Sequence, residues 1–550
     1  MKKYLLLSLF IAGFINATAQ SKEDVKPFTK PKLVVGIVVD QMRYDYLVRF
    51  WDRYQDGGFK RMVNEGFNCK NNHFNYIPTY TAVGHTSVYT GTTPNVHGVI
   101  GNNWYDKVAD RMVYCTEDNN ANSVGTTSDA GKMSPWRMES STITDQLKLA
   151  TVSKGKVIGV SVKDRGSILP AGHAADAAYW FHGSDEGVWI TSDYYMKELP
   201  KWVKKFNKSN QAEKYKKVWN TLYDIDTYHQ SLADKNAYEG PFKTQGAAVF
   251  PYDIPALWEK NGAFDLIKGV PFGNSLTTDF AMAAIEGEDL GQDDITDFIA
   301  ISFSSSDYVG HRFGVSAVET QDMYLRLDLD IERLLNYLDD KVGQGEYTVF
   351  LTSDHAAVEV PAYLEDLKIP GGYADSKGFR SNLDTFLKET YNSEDLVKNI
   401  SNGQIFLNQE RLKEIGITSK EIEDAIVNEI KNYKHVAQAY TGYAMRNQTF
   451  TRGIASKLQL GYNFNRSGDV LFVWEPGYLA TSSRTGTSHG TGYAYDTHAP
   501  LLFFGKGINH GSTVKRTEIP DIANTIAALL GIAFPSGSNG EPISEALQLD

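Results

Sequence analysis

The chain has 550 residues, 42% of them hydrophobic, with 67 acidic against 55 basic side chains and a formal net charge of −12. That apolar content excludes a disordered or fibrous protein, and a chain of this length can bury one large core or divide into a few domains. The acidic balance and the absence of a long basic run exclude a protein built mainly to grip the phosphate backbone of nucleic acid.

Met1-Lys2-Lys3 precedes an apolar run from Tyr4 to Ile15 and the small-residue stretch Asn16-Ala17-Thr18-Ala19. This is the pattern of a secretory signal peptide, with cleavage expected after Ala19, so residues 1–19 are excluded from fold reasoning. The run is shorter than a bilayer span, and no later segment reaches that length. An exported, periplasmic protein without stable membrane insertion is expected. Cys69 and Cys115 are too few for a disulfide scaffold, but in an oxidising compartment they form either one bridge or two separate buried thiols.

The first strand is expected at Lys32 to Val39, a β-branched run ending at Asp40. A run apolar on both faces suits a parallel strand covered by helices, and ligands bind beyond the carboxyl ends of such strands. Pro78-Thr79-Tyr80-Thr81-Ala82-Val83-Gly84-His85-Thr86 then offers hydroxyls as nucleophiles or helix caps, and composition does not separate Thr79, Thr81 and Thr86. Gly101-Asn102-Asn103 follows a short apolar stretch and is suited to place an amide near an anion.

A second strand, Val157 to Val162, runs into Lys163-Asp164-Arg165. On an extended strand end, residues two apart face the same way, so Lys163 and Arg165 are expected to point together toward one anion while Asp164 points away. A Tyr-, Trp- and Lys-rich insertion is expected at about 181–295, before the strand Asp297 to Phe303. Asp307 and His311 stand four apart just beyond it, a spacing that brings a carboxylate and an imidazole to one side of a helical turn as metal ligands. Glu319 to Leu338 is an amphipathic helix by its apolar spacing, packed on the sheet.

Asp354-His355 directly follows the strand Tyr347 to Thr352, and a charged second insertion is expected at about 360–460. His489 lies in the glycine-rich Gly486-Thr487-Ser488-His489-Gly490-Thr491-Gly492, upstream of a strand at Ala499 to Phe504. A last helix is expected at Asp521 to Leu530 with Gly531 as its stop. The fold class is α/β, a doubly wound, mostly parallel sheet with helices on both faces. The mature chain, 20–550, is expected to be a single catalytic domain carrying the two insertions.

Asp40, Asp307 and Asp354 with His311, His355 and His489 are too many ligands for one tetrahedral zinc but suit two ions sharing a substrate. Lys163 and Arg165 beside two cations suit a dianionic phosphoryl group.

With these blocks in this order, the sequence resembles the alkaline phosphatase superfamily, specifically its type I phosphodiesterase/nucleotide pyrophosphatase family, and most of all the exported PafA-type alkaline phosphatases of flavobacteria. The resemblance runs discontinuously from about Lys32 to Gly531. It implies an alkaline phosphatase-like fold and two Zn²⁺. Thr81 then resembles the transiently phosphorylated nucleophile and Asn102 the phosphate-contacting amide. By the same comparison Asp307, His311 and His489 resemble the ligands of one zinc, while Asp40, Asp354 and His355 resemble those of the other, which activates Thr81. The family's Phe-Pro-Asn-His after the nucleophile is replaced here by Ala82-Val83-Gly84-His85, which reshapes the pocket and leaves the ligands intact.

Lys163 and Arg165 resemble the pair that monoesterase members carry to meet the extra negative charge. The resemblance therefore implies hydrolysis of small-molecule phosphate monoesters. The ring of metal-bound and side-chain positive charge should make inorganic phosphate an inhibiting product, and a monomer is expected. A phosphodiesterase or nucleotide pyrophosphatase with the same metals is the alternative, and a non-catalytic phosphate-binding protein a remoter one.

Overall fold

The computed structural model describes residues 29–548, so the signal peptide expected at 1–19 lies outside the described residues. A ten-stranded sheet runs in the order Gly511–Thr513, Phe67–Cys69, Leu501–Gly505, Tyr347–Thr352, Leu33–Val39, Asp297–Phe303, Val157–Ser161, Ala177–His182, Val188–Ser192, Ser123–Val124. The five strands from Tyr347–Thr352 to Ala177–His182 are parallel. Antiparallel neighbours flank them: Leu501–Gly505 on one side and Val188–Ser192 on the other. The parallel strands anticipated from doubly apolar runs form close to their expected limits. The run at Ala499 to Phe504 starts later, at Leu501, because Pro500 has no N–H to give a ladder.

Every residue of Leu33–Val39 is buried, and its two faces enter different layers. Val35, Ile37 and Val39 pack with Met323, Leu327 and Ile331 of the helix Val318–Leu338. Val34 and Val38 pack with Val83 and Val88 of the helix Thr81–Thr90 and with Ile522 and Ile526 of the helix Asp521–Leu530. Each buried Val or Ile contributes roughly 1.5–3 kcal/mol relative to exposure, which is why a strand this apolar settles at the sheet's centre. A Cβ on Gly36 would overlap the Tyr89 hydroxyl and the Phe350 ring, so glycine there lets the helix Thr81–Thr90 lie close on the sheet.

A separate four-stranded antiparallel sheet, ordered Val397–Ser401, Gln404–Leu407, Val470–Trp474, Val436–Thr441, has its own apolar cluster with the helices Ser376–Tyr391 and Ser419–Ile430. It takes in the segment expected as an insertion at about 360–460 and also Val470–Trp474. Within the segment expected as an insertion at 181–295, Trp189 stacks on Phe280 at 4.0 Å and both join the main core. Cys69 and Cys115 are free, buried and in different apolar clusters, so the bridge is not formed. Burial pushes both thiols up to about 12. Among the described residues no helix is long and apolar enough to cross a membrane.

Candidate active site

Four adjacent parallel strands end side by side, with Val38 opposite both Ser302 and Thr352, and Ile301 opposite Val160. Just beyond those ends the chain turns polar. Asp40 follows Leu33–Val39, Asp307 lies in the first turn of the helix Ser305–Phe313, Asp354 and His355 follow Tyr347–Thr352, and Lys163 follows Val157–Ser161. In-register strands of one direction deliver these side chains to one rim, as the rule for open α/β sheets requires.

Three of the carboxylates and a lysine are packed there with almost no exposure: Asp40 0%, Asp354 0%, Asp307 4% and Lys163 3%. Lys163 Nζ lies 2.6 Å from Asp40 Oδ2 and 2.6 Å from Asp307 Oδ2. The second oxygens of these carboxylates face imidazoles. His311 Nε2 is 3.1 Å and His489 Nε2 3.7 Å from Asp307 Oδ1, while His355 Nε2 is 3.4 Å from Asp40 Oδ1 and 3.6 Å from Asp354 Oδ2. His355 and His489 stack with ring centroids 3.4 Å apart.

Two groups have ligand atoms close enough to hold one ion each: Asp307, His311 and His489, and Asp40, Asp307 and His355. The first is the trio anticipated from sequence. In the second Asp307 joins Asp40 and His355, so this carboxylate stands in both, and Asp354 stands beside the pair.

The donor set fits divalent cations on three independent grounds. Asp40 Oδ1, Asp354 Oδ2 and His355 Nε2 are buried without a hydrogen-bond partner, a costly state for three atoms in one spot unless a cation satisfies them. In each imidazole Nδ1 is engaged by a backbone carbonyl: His311 with Thr487 at 2.8 Å, His355 with Ala356 at 3.1 Å and His489 with Thr79 at 2.8 Å. A carbonyl can only accept, so Nδ1 carries the proton and Nε2 keeps its lone pair for a metal. Burial, with Asp307 and Asp354 nearby, pushes the Asp40 carboxyl above its usual range against the pull of Lys163. A divalent charge relieves that repulsion.

Asp307, Asp354, His355 and His489 titrate in keeping with this role, whereas His311, which burial would lower, is raised by Asp307. Burial would raise Asp307, but His311 and Lys163 outweigh it and hold it well below the usual carboxylate range. For Asp354 the same contest is won by His355 and His85. Burial lowers His355, and burial with the neighbouring His355 and His311 lowers His489, so both rings are neutral, as metal ligation needs.

The structure also separates the three threonines. Thr79 Oγ1 donates to Thr491 O at 2.9 Å, and Thr86 Oγ1 donates back to Ala82 O at 2.7 Å. Among the described residues the Thr81 hydroxyl has no such partner, and Thr81 is 1% exposed at the first position of the helix Thr81–Thr90. That helix is docked on the Asp354 segment: a Cβ on Gly84 would run into the Asp354 carbonyl, and His85 Nδ1 lies 2.8 Å from Thr81 O and 3.3 Å from Asp354 Oδ2. Asn102 Oδ1 accepts from Ala82 N at 2.8 Å, which orients the amide and leaves its Nδ2 to donate elsewhere.

Lys163 and Arg165 correct the strand-end expectation. Lys163 is the extended N-cap of the helix Asp164–Ala171, and Arg165 already lies in its first turn, so the two do not project in parallel from one strand. Asp164, acidic and in that first turn where the helix dipole favours it, is not turned away but accepts from the Tyr114 hydroxyl at 2.8 Å and from Thr116 Oγ1 at 2.6 Å. Arg165 Nη1 donates to the same Tyr114 hydroxyl at 3.0 Å, while the Lys163 ammonium lies over the Tyr308 ring at 5.0 Å. Lys163 therefore bridges two of the carboxylates, while Arg165 is held by Tyr114 beside Asp164.

Two residues were not legible as part of this site. Gln41, at φ 64°, donates Nε2 to Asp307 Oδ1 at 2.6 Å and its backbone N–H to Asp354 Oδ1 at 3.1 Å. Its place directly after Asp40 was the only sequence signal. His85 stands one helical turn from Thr81, and that four-residue spacing was its signal.

A model of the family "type I phosphodiesterase / nucleotide pyrophosphatase" matches residues 34–499. The chain belongs to this family. It is 42% identical to alkaline phosphatase PafA of Elizabethkingia meningoseptica, covering 99% of each chain. The crystal structure of PafA superposes with a TM-score of 0.91, over 95% of this chain and 100% of that one, which sets the chain among the PafA-type members. A protein of Myroides odoratus named a calcium-transporting ATPase is 46% identical over 94% of this chain and 95% of its own.

Proposed function

We propose that the protein is an exported, zinc-dependent alkaline phosphatase that hydrolyses phosphate monoesters through a phosphothreonine at Thr81. The observation that carries the monoester reading is the Lys163 ammonium, buried between Asp40 and Asp307 with Arg165 alongside. A monoester brings a second negative charge that a diester lacks, and the buried Lys163 beside the metal ligands, with the partly buried Arg165 near it, complements that charge. The likeness to PafA supports the same reading, and the N-terminal leader pattern supports export.

Asp307, His311 and His489 would hold one ion, and Asp40, His355 and Asp354 the other, with Asp307 close to both. Bound divalent cations supply Lewis-acid charge that lowers the pKa of a hydroxyl or water and stabilises oxygens that gain charge. Thr81 Oγ forms a bond to phosphorus as the bond to the ester oxygen breaks, and the alcohol departs. Water then cleaves the phosphothreonine, releasing inorganic phosphate and restoring the hydroxyl. Lys163, Arg165 and the free Nδ2 of Asn102 hold the phosphoryl oxygens, and the N-terminus of the helix Thr81–Thr90 adds a favourable dipole.

The same metals with a diester substrate would make a phosphodiesterase, which the family model itself favours. The deciding experiment is the ratio of kcat/KM for an aryl monoester to that for the matched methyl aryl diester, on zinc-loaded protein freed of phosphate. A ratio well above one is expected. A ratio below one would move Lys163 and Arg165 away from the phosphoryl group and establish the diesterase. Metal analysis of the active protein tests the zinc assignment.

A further inference from the structure

Two serines interrupt the apolar centre of the large sheet. Ser161 ends Val157–Ser161, Ser302 stands next to last in Asp297–Phe303, and the two are register partners with 0% and 1% exposure. Ser302 also lies opposite Val38, which packs with the helix Thr81–Thr90. A hydroxyl buried there is costly unless it is hydrogen-bonded, and both are. Lys163 N–H donates to Ser161 Oγ at 3.0 Å; the Ser161 and Ser304 hydroxyls are 3.1 Å apart, as are those of Ser304 and Ser302. Ser302 Oγ is 2.9 Å from His85 Nε2, and His85 Nδ1 is 2.8 Å from Thr81 O. Resting on the phosphomonoesterase reading, we propose that His85 is a positioning residue and that this buried network fixes the Thr81 nucleophile against Lys163, the cation assigned to the phosphoryl group.

The direction of every hydrogen follows from the partners. Thr81 O can only accept, so His85 Nδ1 carries a proton, and Asp354 Oδ2 at 3.3 Å favours it on that nitrogen. Ser161 Oγ accepts from Lys163 N–H, and among the described residues its own proton has only Ser304 Oγ to meet. Ser304 then donates to Ser302, and Ser302 donates to the lone pair of His85 Nε2. The reverse order would put a proton on Nε2 and leave the Ser161 proton without an acceptor. The network therefore runs one way, from the Lys163 backbone to the Thr81 carbonyl, and hydrogen bonds aligned like this strengthen one another in a low-dielectric interior. His85 and Ser304 are also 0% exposed. The helix Asp164–Ala171 lies directly against the serines: a Cβ on Gly166 would fall 2.7 Å from Ser161 Oγ and 2.9 Å from Ser302 Oγ. Both ring nitrogens of His85 are spent in the network, so it acts on the reaction only through the placing of Thr81.

Heteronuclear NMR of histidine-labelled, zinc-loaded, full-length protein tests the network, with His85 assigned by its loss in His85→Asn. A proton-bearing Nδ1 and a bare Nε2 are expected. Ser302→Ala removes the donor to Nε2 without touching a metal ligand. Its kcat on an aryl monoester should fall about 10–100-fold, the cost of a reacting group displaced by about 1 Å. Zinc content and the inhibition constant for inorganic phosphate should stay within about twofold, since the Lys163 ammonium keeps its bridges to Asp40 and Asp307. Asn at position 85 is too short to reach Ser302, so adding Ser302→Ala to His85→Asn should cost less than about threefold more. A proton on Nε2, an unchanged kcat in Ser302→Ala, a loss of kcat matched by loss of zinc, or full additivity of the two substitutions overturns the proposal. The wild-type spectrum decides the network even where a variant fails to fold. If the wild type hydrolyses no monoester, the phosphatase reading falls and takes the role of Thr81 with it, while the nitrogen spectra still decide whether the network exists.

Discussion

Replacing each threonine of the Thr79–Thr86 stretch by alanine separates chemistry from architecture, because the structure assigns their hydroxyls different work. Thr79→Ala removes a hydrogen bond to Thr491 O and leaves that carbonyl unpaired, which costs about 1–3 kcal/mol. It does not touch the Thr79 carbonyl that holds His489 Nδ1, so metal binding is expected to survive. Thr86→Ala loses its back-bond to Ala82 O at similar or smaller cost. Thr81→Ala breaks no hydrogen bond but removes a buried methyl, so stability should fall by no more than about 1 kcal/mol. Its turnover should nevertheless fall at least about a thousandfold, since binding and electrostatics alone remain once a nucleophile is gone. Urea melts, zinc content and kcat/KM on an aryl monoester report the three quantities, and acid-quenched mass spectrometry should find phosphate on the peptide carrying Thr81. Thr81→Ala within tenfold of wild type, or Thr79→Ala losing as much activity as Thr81→Ala, would refute the reasoning.

The remaining expectations address metal, packing and pH. Gln41→Ala frees Asp307 Oδ1 from its amide donor and should weaken zinc retention about 10–100-fold, read by competition with a chelating dye. Gly84→Ala ought to gain up to about 1 kcal/mol from helix propensity, but its Cβ meets the Asp354 carbonyl; the melt should instead move down and turnover drop about a hundredfold as the Thr81 helix is displaced. Chelation of the ions should abolish turnover and lower the melting temperature, with both restored by zinc, since a ligand at a thousand times its Kd stabilises by about 4 kcal/mol. Burial raises the fully buried Asp328 carboxyl from 3.8 to about 6 despite backbone donors at Phe59 and Gln55. Between pH about 4 and about 6 the folded protein keeps a proton that the unfolded chain releases, so stability from this group falls as pH rises, by about 3 kcal/mol in all. Asp328→Asn should flatten that part of the stability–pH curve, and an unchanged slope would contradict the shift.

What was readable in the sequence follows from where the information is local. Asp297–Phe303 and Tyr347–Thr352 announce themselves because burial on both faces demands an unbroken apolar run, and the first polar residues after such a run must lie at the strand's carboxyl end. Asp40, Asp307, Asp354 and His355 were therefore legible as one rim before the strand order was known. The spacing of Asp307 and His311 was legible for the same reason, since one helical turn is a local fact. Lys163 misled because a strand end and a helix N-cap share an extended backbone at that residue, and only the next turn distinguishes them. The hydroxyl of Thr79 could not be set apart from that of Thr81, because its acceptor lies 412 positions away. The same distance problem hid the four-stranded sheet, whose Val397–Ser401 strand is only partly buried and shows no clean alternation. Chemistry at this site is thus written in short segments, each intelligible alone, whereas the choice among equivalent hydroxyls is made by segments hundreds of residues apart, meeting at Thr79 and Thr491 and, beside Asn102, at Asn103 and Asn402. A substitution confined to that meeting place, such as Asn402→Ala, removes the Nδ2 donor to Asn103 O without touching a metal ligand. It should therefore lower kcat/KM on an aryl monoester, through the neighbouring Asn102, more than it lowers zinc content, and the opposite pattern would show that this contact supports the metals rather than the substrate.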